Sequence, residues 1–228
     1  MKKKTFSLLF LGFGIFILIQ VIMPILEYKI WETVIYNQNI SLISPDPGQK
    51  VLGISIENEP SIKNIGVGLL FRNNKDNFPA IISNSKRLIP PAYQSFYLSI
   101  PSLKLANLKV VVDTNDFEQN LAHLPGSGLP GEKGNTFITG HSSLPQLFRP
   151  GNFKAIFAHL PEIKKGESII LDAGGQKFEY IVSGLKIVDP KETWVINPPE
   201  QNGRYLTLMT CVPPGLYLKR LIVLAEIK

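Results

Sequence analysis

Two hydrophobic patterns divide this chain. Residues 5–26 carry no charge, whereas from Phe96 onward short apolar stretches alternate with Gly, Pro and Asn/Asp breaks. The first pattern predicts one long apolar helix. The second predicts many short strands, in a barrel or a sandwich. Strands are expected at Phe96–Ile100, Leu108–Val112, Thr136–Thr139, Ser168–Asp172, Lys177–Lys186, Tyr205–Thr210 and Leu221–Glu226. In Lys177-Phe-Glu-Tyr-Ile181 the apolar Phe178 and Tyr180 alternate with Lys177 and Glu179, the period of a half-buried strand. Gly174-Gly175 reads as a hairpin turn between the fourth and fifth strands. Phe153–Leu160, with Phe153, Ile156, Phe157 and Leu160 at helical spacing, is the best helix after the first.

Residues 27–95 are weakly patterned. Tyr28–Tyr36 extends the apolar helix, Ser44-Pro-Asp-Pro-Gly48 breaks it, and Val51–Ile56 reads as a short strand. Asn73–Asn77 and Ile89–Ala92 carry turn or linker chemistry, so the region reads as a spacer with some structure of its own.

The 22 uncharged residues from Thr5 to Leu26 would make a helix of roughly 33 Å, enough to cross a bilayer. A cleaved signal peptide would have a shorter apolar core and an Ala-x-Ala-like site, and Gln20–Leu26 offers none. An uncleaved signal anchor is therefore expected. Lys2, Lys3 and Lys4 precede it, while Glu27 and Glu32 follow. This charge bias places residues 1–4 in the cytoplasm and residues 27–228 outside, on a single-pass membrane protein.

Charge narrows the function classes. Without those three lysines, 21 basic residues face 18 acidic ones, and no Lys/Arg cluster with interleaved aromatics occurs, so nucleic acid is not expected as a partner. One cysteine, Cys211, excludes an internal disulfide framework and a multi-cysteine zinc site.

Cys211 lies at the end of one apolar stretch, and Arg220 opens the next after eight intervening residues. If the two strands pair as a hairpin, thiol and guanidinium meet at one rim. A thiolate is a strong nucleophile, and a guanidinium beside it can hold a carbonyl or a developing oxyanion. The competing reading is a buried cysteine acting as a small hydrophobe. His141 follows Gly140 at the end of a short strand and is a candidate acid/base. His123, before a Gly/Pro loop, and Thr210, beside the cysteine, are accessory candidates. His159 is expected at a helix end or on the surface.

The local sequences point further. Thr207-Leu-Met-Thr-Cys211, Arg220-Leu-Ile-Val223 and Gly134-Asn-Thr-Phe-Ile-Thr-Gly-His141 stand in order, with Ile100-Pro-Ser-Leu-Lys104 and Leu129-Pro-Gly-Glu-Lys-Gly134 upstream. In these motifs, from about Phe96 to Lys228, the chain resembles the sortase family of cell-surface transpeptidases. The resemblance implies a mostly β fold: a closed, eight-stranded antiparallel barrel with short helices over residues 96–228, behind the anchor and the 27–95 spacer.

The resemblance also implies a chemistry. Cys211 would attack the Thr-Gly bond of a Leu-Pro-x-Thr-Gly-type sorting signal near the C-terminus of an exported protein. His141 would serve as acid/base and Arg220 as substrate and oxyanion clamp. An amine from peptidoglycan precursor or a pilin lysine would resolve the thioacyl-enzyme. No cofactor or metal is expected; some relatives bind calcium, but no acidic cluster here suggests it. Ser142 departs from the Arg or Asn that often follows the family histidine. No Asp-Pro-aromatic lid motif is found upstream; the single N-terminal anchor fits the housekeeping class and classes D and E, and Val212-Pro213 is similar to those last two, so the chain lies nearest to classes D and E. An L,D-transpeptidase is discounted because its arginine closely follows its cysteine. From another class, the alternative is an anchored β-domain that binds surface protein or wall polymer without catalysis.

Overall fold

The computed structural model describes residues 10–20, 22, 23, 26, 29, 30, 33, 69–73, 79–83, 85, 87, 89–149, 151–200 and 202–228. Residues Met1–Asn39 and Ile40–Lys228 form two compact units. In the first, the described residues are helical and exposed, Phe10, Phe13 and Phe16 among them. The Thr33 hydroxyl donates to the Lys29 carbonyl one turn back, at 2.9 Å. Among the described residues no helix is long and apolar enough to cross a membrane. The other positions of the span expected at 5–26, and the strand expected at Val51–Ile56, lie outside the described residues.

Among its described residues the second unit contains ten strands: β1 (Leu69–Asn73), β2 (Pro79–Ser83), β3 (Ser95–Ile100), β4 (Leu105–Val111), β5 (Leu121–His123), β6 (Gly134–Thr139), β7 (Ser168–Ala173), β8 (Gln176–Val188), β9 (Arg204–Val212) and β10 (Lys219–Ile227). Strands β3 to β10 close into an eight-stranded barrel in the order β10-β8-β7-β3-β4-β5-β6-β9, and β1 pairs with β2 as a separate hairpin.

The barrel is mixed, which corrects the expected all-antiparallel arrangement. β4 runs parallel to β5, and β6 runs parallel to β9. Turn residues specify only which neighbours in sequence fold back on each other. The β6–β9 pair joins strands separated by β7 and β8, so no local signal reports its direction. Where a turn does decide, the sequence is obeyed. Gly174 and Gly175, with φ of +59° and +78°, form the two-residue connection that registers Ala173 opposite Gln176.

Burial follows the pleat. Phe96, Leu98 and Ile100 of β3 and Ile169 and Leu171 of β7 alternate into the core. β9, flanked by β6 and β10, is buried from Tyr205 to Val212, so it reads as a continuous apolar run. Met209 and its partner Ile222 pack with Phe137, Leu124, Val188, Val195, Ile196 and Ile81. Ile81 belongs to β2, so this hairpin contributes to the barrel's packing.

The helix expected at Phe153–Leu160 is instead two 3-10 turns, Phe153–Ala155 and Leu160–Glu162. Two causes are visible. Leu160 precedes Pro161, which disfavours the α conformation there. The Phe157 N–H donates to the His141 carbonyl at 3.0 Å, whereas an α-helix would direct it to Phe153. The segment therefore clasps the chain just beyond β6, with Ile156, Phe157 and Leu160 fully buried as their spacing predicts.

Candidate active site

The hairpin inferred from the Cys211–Arg220 spacing exists, and its register sets the two residues directly opposite each other. Cross-strand partners project to the same face, so thiol and guanidinium share one side of the β9–β10 pair. On the other flank of β9 the parallel register ends at Thr139 opposite Met209, and the chain continues alongside. Gly140 N–H donates to the Met209 carbonyl at 3.2 Å, and the Ser142 hydroxyl donates to the Cys211 carbonyl. His141 lies between these two contacts. Three neighbouring strand ends thus bring His141, Cys211 and Arg220 to one rim.

Gly140 makes this approach possible. A Cβ there would lie 2.5 Å from the Leu121 side chain and 2.7 Å from the Phe157 ring, so any larger residue would push His141 off the sheet. Thr210 neighbours Cys211 but points to the opposite face, and its hydroxyl donates to the Gly140 carbonyl at 2.8 Å. That bond holds the backbone that carries His141. The departure noted at Ser142 is also structural, since its hydroxyl ties the histidine segment to β9.

The site is dry. Cys211 is fully buried, packed with Phe117 and Ala122, and burial pushes its thiol up to about 12 against the opposing pull of Arg220. Burial likewise lowers the Arg220 guanidinium, with Cys211 acting in the other direction. The guanidinium is held in place by its own strand and loop, donating to the Lys219 carbonyl at 2.9 Å and the Tyr217 carbonyl at 3.4 Å. Around the site, the loops on either side expose Leu144, Leu147, Leu216, Tyr217 and Leu218. Gly215 N–H donates to the Ser142 carbonyl at 2.9 Å, joining those loops into one apolar rim.

Two residues of the site were not singled out from sequence, Phe117 and Glu118. Both lie in the β4–β5 connection. The Phe117 ring is 4.5 Å from the His141 ring and covers Cys211 as well. Glu118 Oε1 lies 3.5 Å from His141 Nε2. The available signal was a lone aromatic within Asp113-Thr-Asn-Asp-Phe-Glu-Gln-Asn120, a polar run that has no other reason to hold one.

His123 is fully buried in a different set of contacts. Its Nε2 lies 2.9 Å from the Gly128 carbonyl and 3.0 Å from Ser127 Oγ, and its Nδ1 lies 3.4 Å from Asp113 Oδ1. Burial raises the Asp113 carboxyl, but the hydrogen bond to His123 and the Arg87 guanidinium outweigh it and hold the group below the usual carboxylate range. His159 lies near the surface and pairs with Glu162 at 2.6 Å. Among the described residues no group of three His, Cys, Asp or Glu side chains could hold a metal ion.

Comparison with known proteins places the barrel in a family. Residues 98–228 match the Sortase domain family. The chain is 29% identical over 118 residues to "Sortase D" of Bacillus subtilis (strain 168), covering 51% of this chain and 53% of that protein. It is 30% identical over 136 residues to "Sortase A" of Bacillus anthracis, covering 57% and 58% respectively. The structure of Sortase A from Corynebacterium diphtheriae superposes with a TM-score of 0.51 at 31% identity, over 60% of this chain and 61% of that one. The fold and these matches define the class, a cysteine transpeptidase family. The chain belongs to the sortase family. It spans little more than half the length of the curated relatives it matches, and relatives in classes A and D match it almost equally.

Proposed function

We propose that this chain is a membrane-anchored cysteine transpeptidase that cleaves a Leu-Pro-x-Thr-Gly-type sorting signal between Thr and Gly and joins the acyl part to an amine. The observation that carries this reading is the direct register of Cys211 with Arg220, with His141 on the adjoining strand end. The Cys211 thiol gives its proton to His141, its sulfur adds to the threonine carbonyl carbon, and Arg220 stabilises the oxyanion. Collapse breaks the C–N bond, and His141 gives a proton to the leaving glycine amine. An incoming amine then adds to the thioester, loses a proton to His141, and expels the Cys211 thiolate. The exposed rim of Leu144, Leu147, Leu216, Tyr217 and Leu218 supports binding of the apolar Leu-Pro end of such a signal.

The anchor in this proposal is residues 5–26, supported by their uncharged run and by the exposed apolar side chains of the described helix. The accepted amine is from peptidoglycan precursor or a pilin lysine. Val212-Pro213 supports a place near classes D and E. The test is mass spectrometry of products after mixing the protein with candidate signal peptides and amines. The proposal expects a product joined at threonine, absent in Cys211→Ala and strongly reduced in His141→Ala and Arg220→Ala. Turnover in Cys211→Ala equal to that of the native protein would sink it.

One observation favours the second reading, an anchored β-domain that binds without catalysis: Cys211 is wholly covered. Thiol labelling separates the two. Modification of the folded protein by a small electrophile, slowed by a sorting-signal peptide, supports the enzyme. Labelling only after denaturation supports the binding module.

A further inference from the structure

The β4–β5 connection, residues 112–120, lies over the site, and it is built to hold its shape. Its first half is fixed to the rest of the unit. Asp113 is paired with Arg87 at 2.8 Å, the Thr114 N–H donates to the His123 carbonyl at 3.1 Å, and Asn115 exchanges two hydrogen bonds with the Ser83 backbone at 3.1 and 3.0 Å. Its second half folds on itself, with Asp116 N–H donating to Thr114 Oγ1 and Glu118 N–H donating to Asp116 Oδ1, both at 3.0 Å. Phe117 is thereby set against His141 and Cys211. Glu118 is directed to His141 on one oxygen and, at 3.5 Å on the other, to Lys154. Lys154 is itself tied to the histidine segment, because its carbonyl accepts from Ser143 N–H at 3.0 Å.

We propose that Glu118 is a positioning residue of this site, orienting the His141 ring through Nε2 and stabilising its imidazolium form, with Phe117 fixing the ring from one side. This rests on the transpeptidase reading above. An imidazole flanked by a carboxylate on one ring nitrogen has the other nitrogen and its proton aimed in a defined direction. In this reaction His141 must carry a proton when the glycine amine leaves, so stabilising the cation acts on turnover rather than on peptide binding. Among the described residues, the Cys211 thiol on β9 and Arg220 on β10 share this rim, and Lys154 faces Glu118. A cation near the ring opposes protonation of His141, and the Glu118 carboxylate acts in the other direction.

The test uses the full chain with Glu118→Gln and Glu118→Asp, comparing kcat, KM for the signal peptide and the NMR titration of the His141 ring. Glu118→Gln should lower kcat roughly tenfold with KM nearly unchanged. It should move the His141 titration to lower pH, and Glu118→Asp should restore part of both. Glu118 is partly exposed on a loop, so the variants are expected to fold as the native protein does. Native kcat and an unmoved His141 titration in Glu118→Gln would overturn the proposal and leave Glu118 as a partner of Lys154 alone. If His141→Ala kept full turnover, the transpeptidase reading and this proposal would both fall. That outcome is separate from an inactive His141→Ala beside a normal Glu118→Gln.

Discussion

Burial at Cys211 has a measurable consequence at the level of one atom. Folding raises the thiol from an ordinary 9.0 to about 12, so between those values the folded chain keeps a proton that the unfolded chain has lost. Stability tied to this group is complete below 9.0 and is lost as pH rises toward about 12. The melting temperature of the native protein should therefore fall more steeply than that of Cys211→Ala over this window. Tyr93 and Tyr180, also raised by burial, act alike in both proteins and cancel in the comparison. Equal slopes would show the thiol to be solvated. At the residue scale the sequence was informative where chemistry is local: Cys211, Arg220 and His141 stand in short motifs and meet at one rim. Phe117 and Glu118 were not legible, because only the path of the β4–β5 connection brings a polar run against the histidine.

Single elements show the same division. Gly174-Gly175 announced a hairpin, and β9, buried from Tyr205 to Val212, stands out as an apolar stretch broken only by Thr207 and Thr210. The three-residue strand β5 is too short to show a period, and the parallel β6–β9 pairing leaves no mark on either strand alone. Phe153–Leu160 shows how tertiary contacts override pattern. Its apolar spacing predicts the burial of Ile156, Phe157 and Leu160, but Phe153 is half-buried and Ala155 and Ala158 are buried too, while the His141 carbonyl takes the hydrogen bond an α-helix would need. The β1–β2 hairpin yields a prediction of its own. Ile81 is buried with Phe137, Met209 and Ile222, so Ile81→Ala should lower unfolding free energy by about 2 kcal/mol or more in denaturant titration. A change within error would mean that residues before the barrel are a passive tether.

Across the whole molecule, a closed barrel gives the site its rigidity. Cys211 and Arg220 belong to adjacent strands of one hydrogen-bonded ring, and His141 lies two residues past the end of β6 beside them, so strand register largely sets their spacing. Phe117 of one connection packs against His141 and Cys211, and an apolar rim flanks the site, a buried setting in which charge developing on a substrate is strongly felt. The central claim is that Cys211 carries an acyl group during turnover. Intact-mass spectrometry of the protein after rapid mixing with a Leu-Pro-x-Thr-Gly-type peptide and no added amine tests it most directly. The account predicts a thioester adduct on Cys211 ending at threonine, discharged when an amine is added and absent in Cys211→Ala. Peptide cleavage that proceeds in Cys211→Ala at the native rate would contradict it.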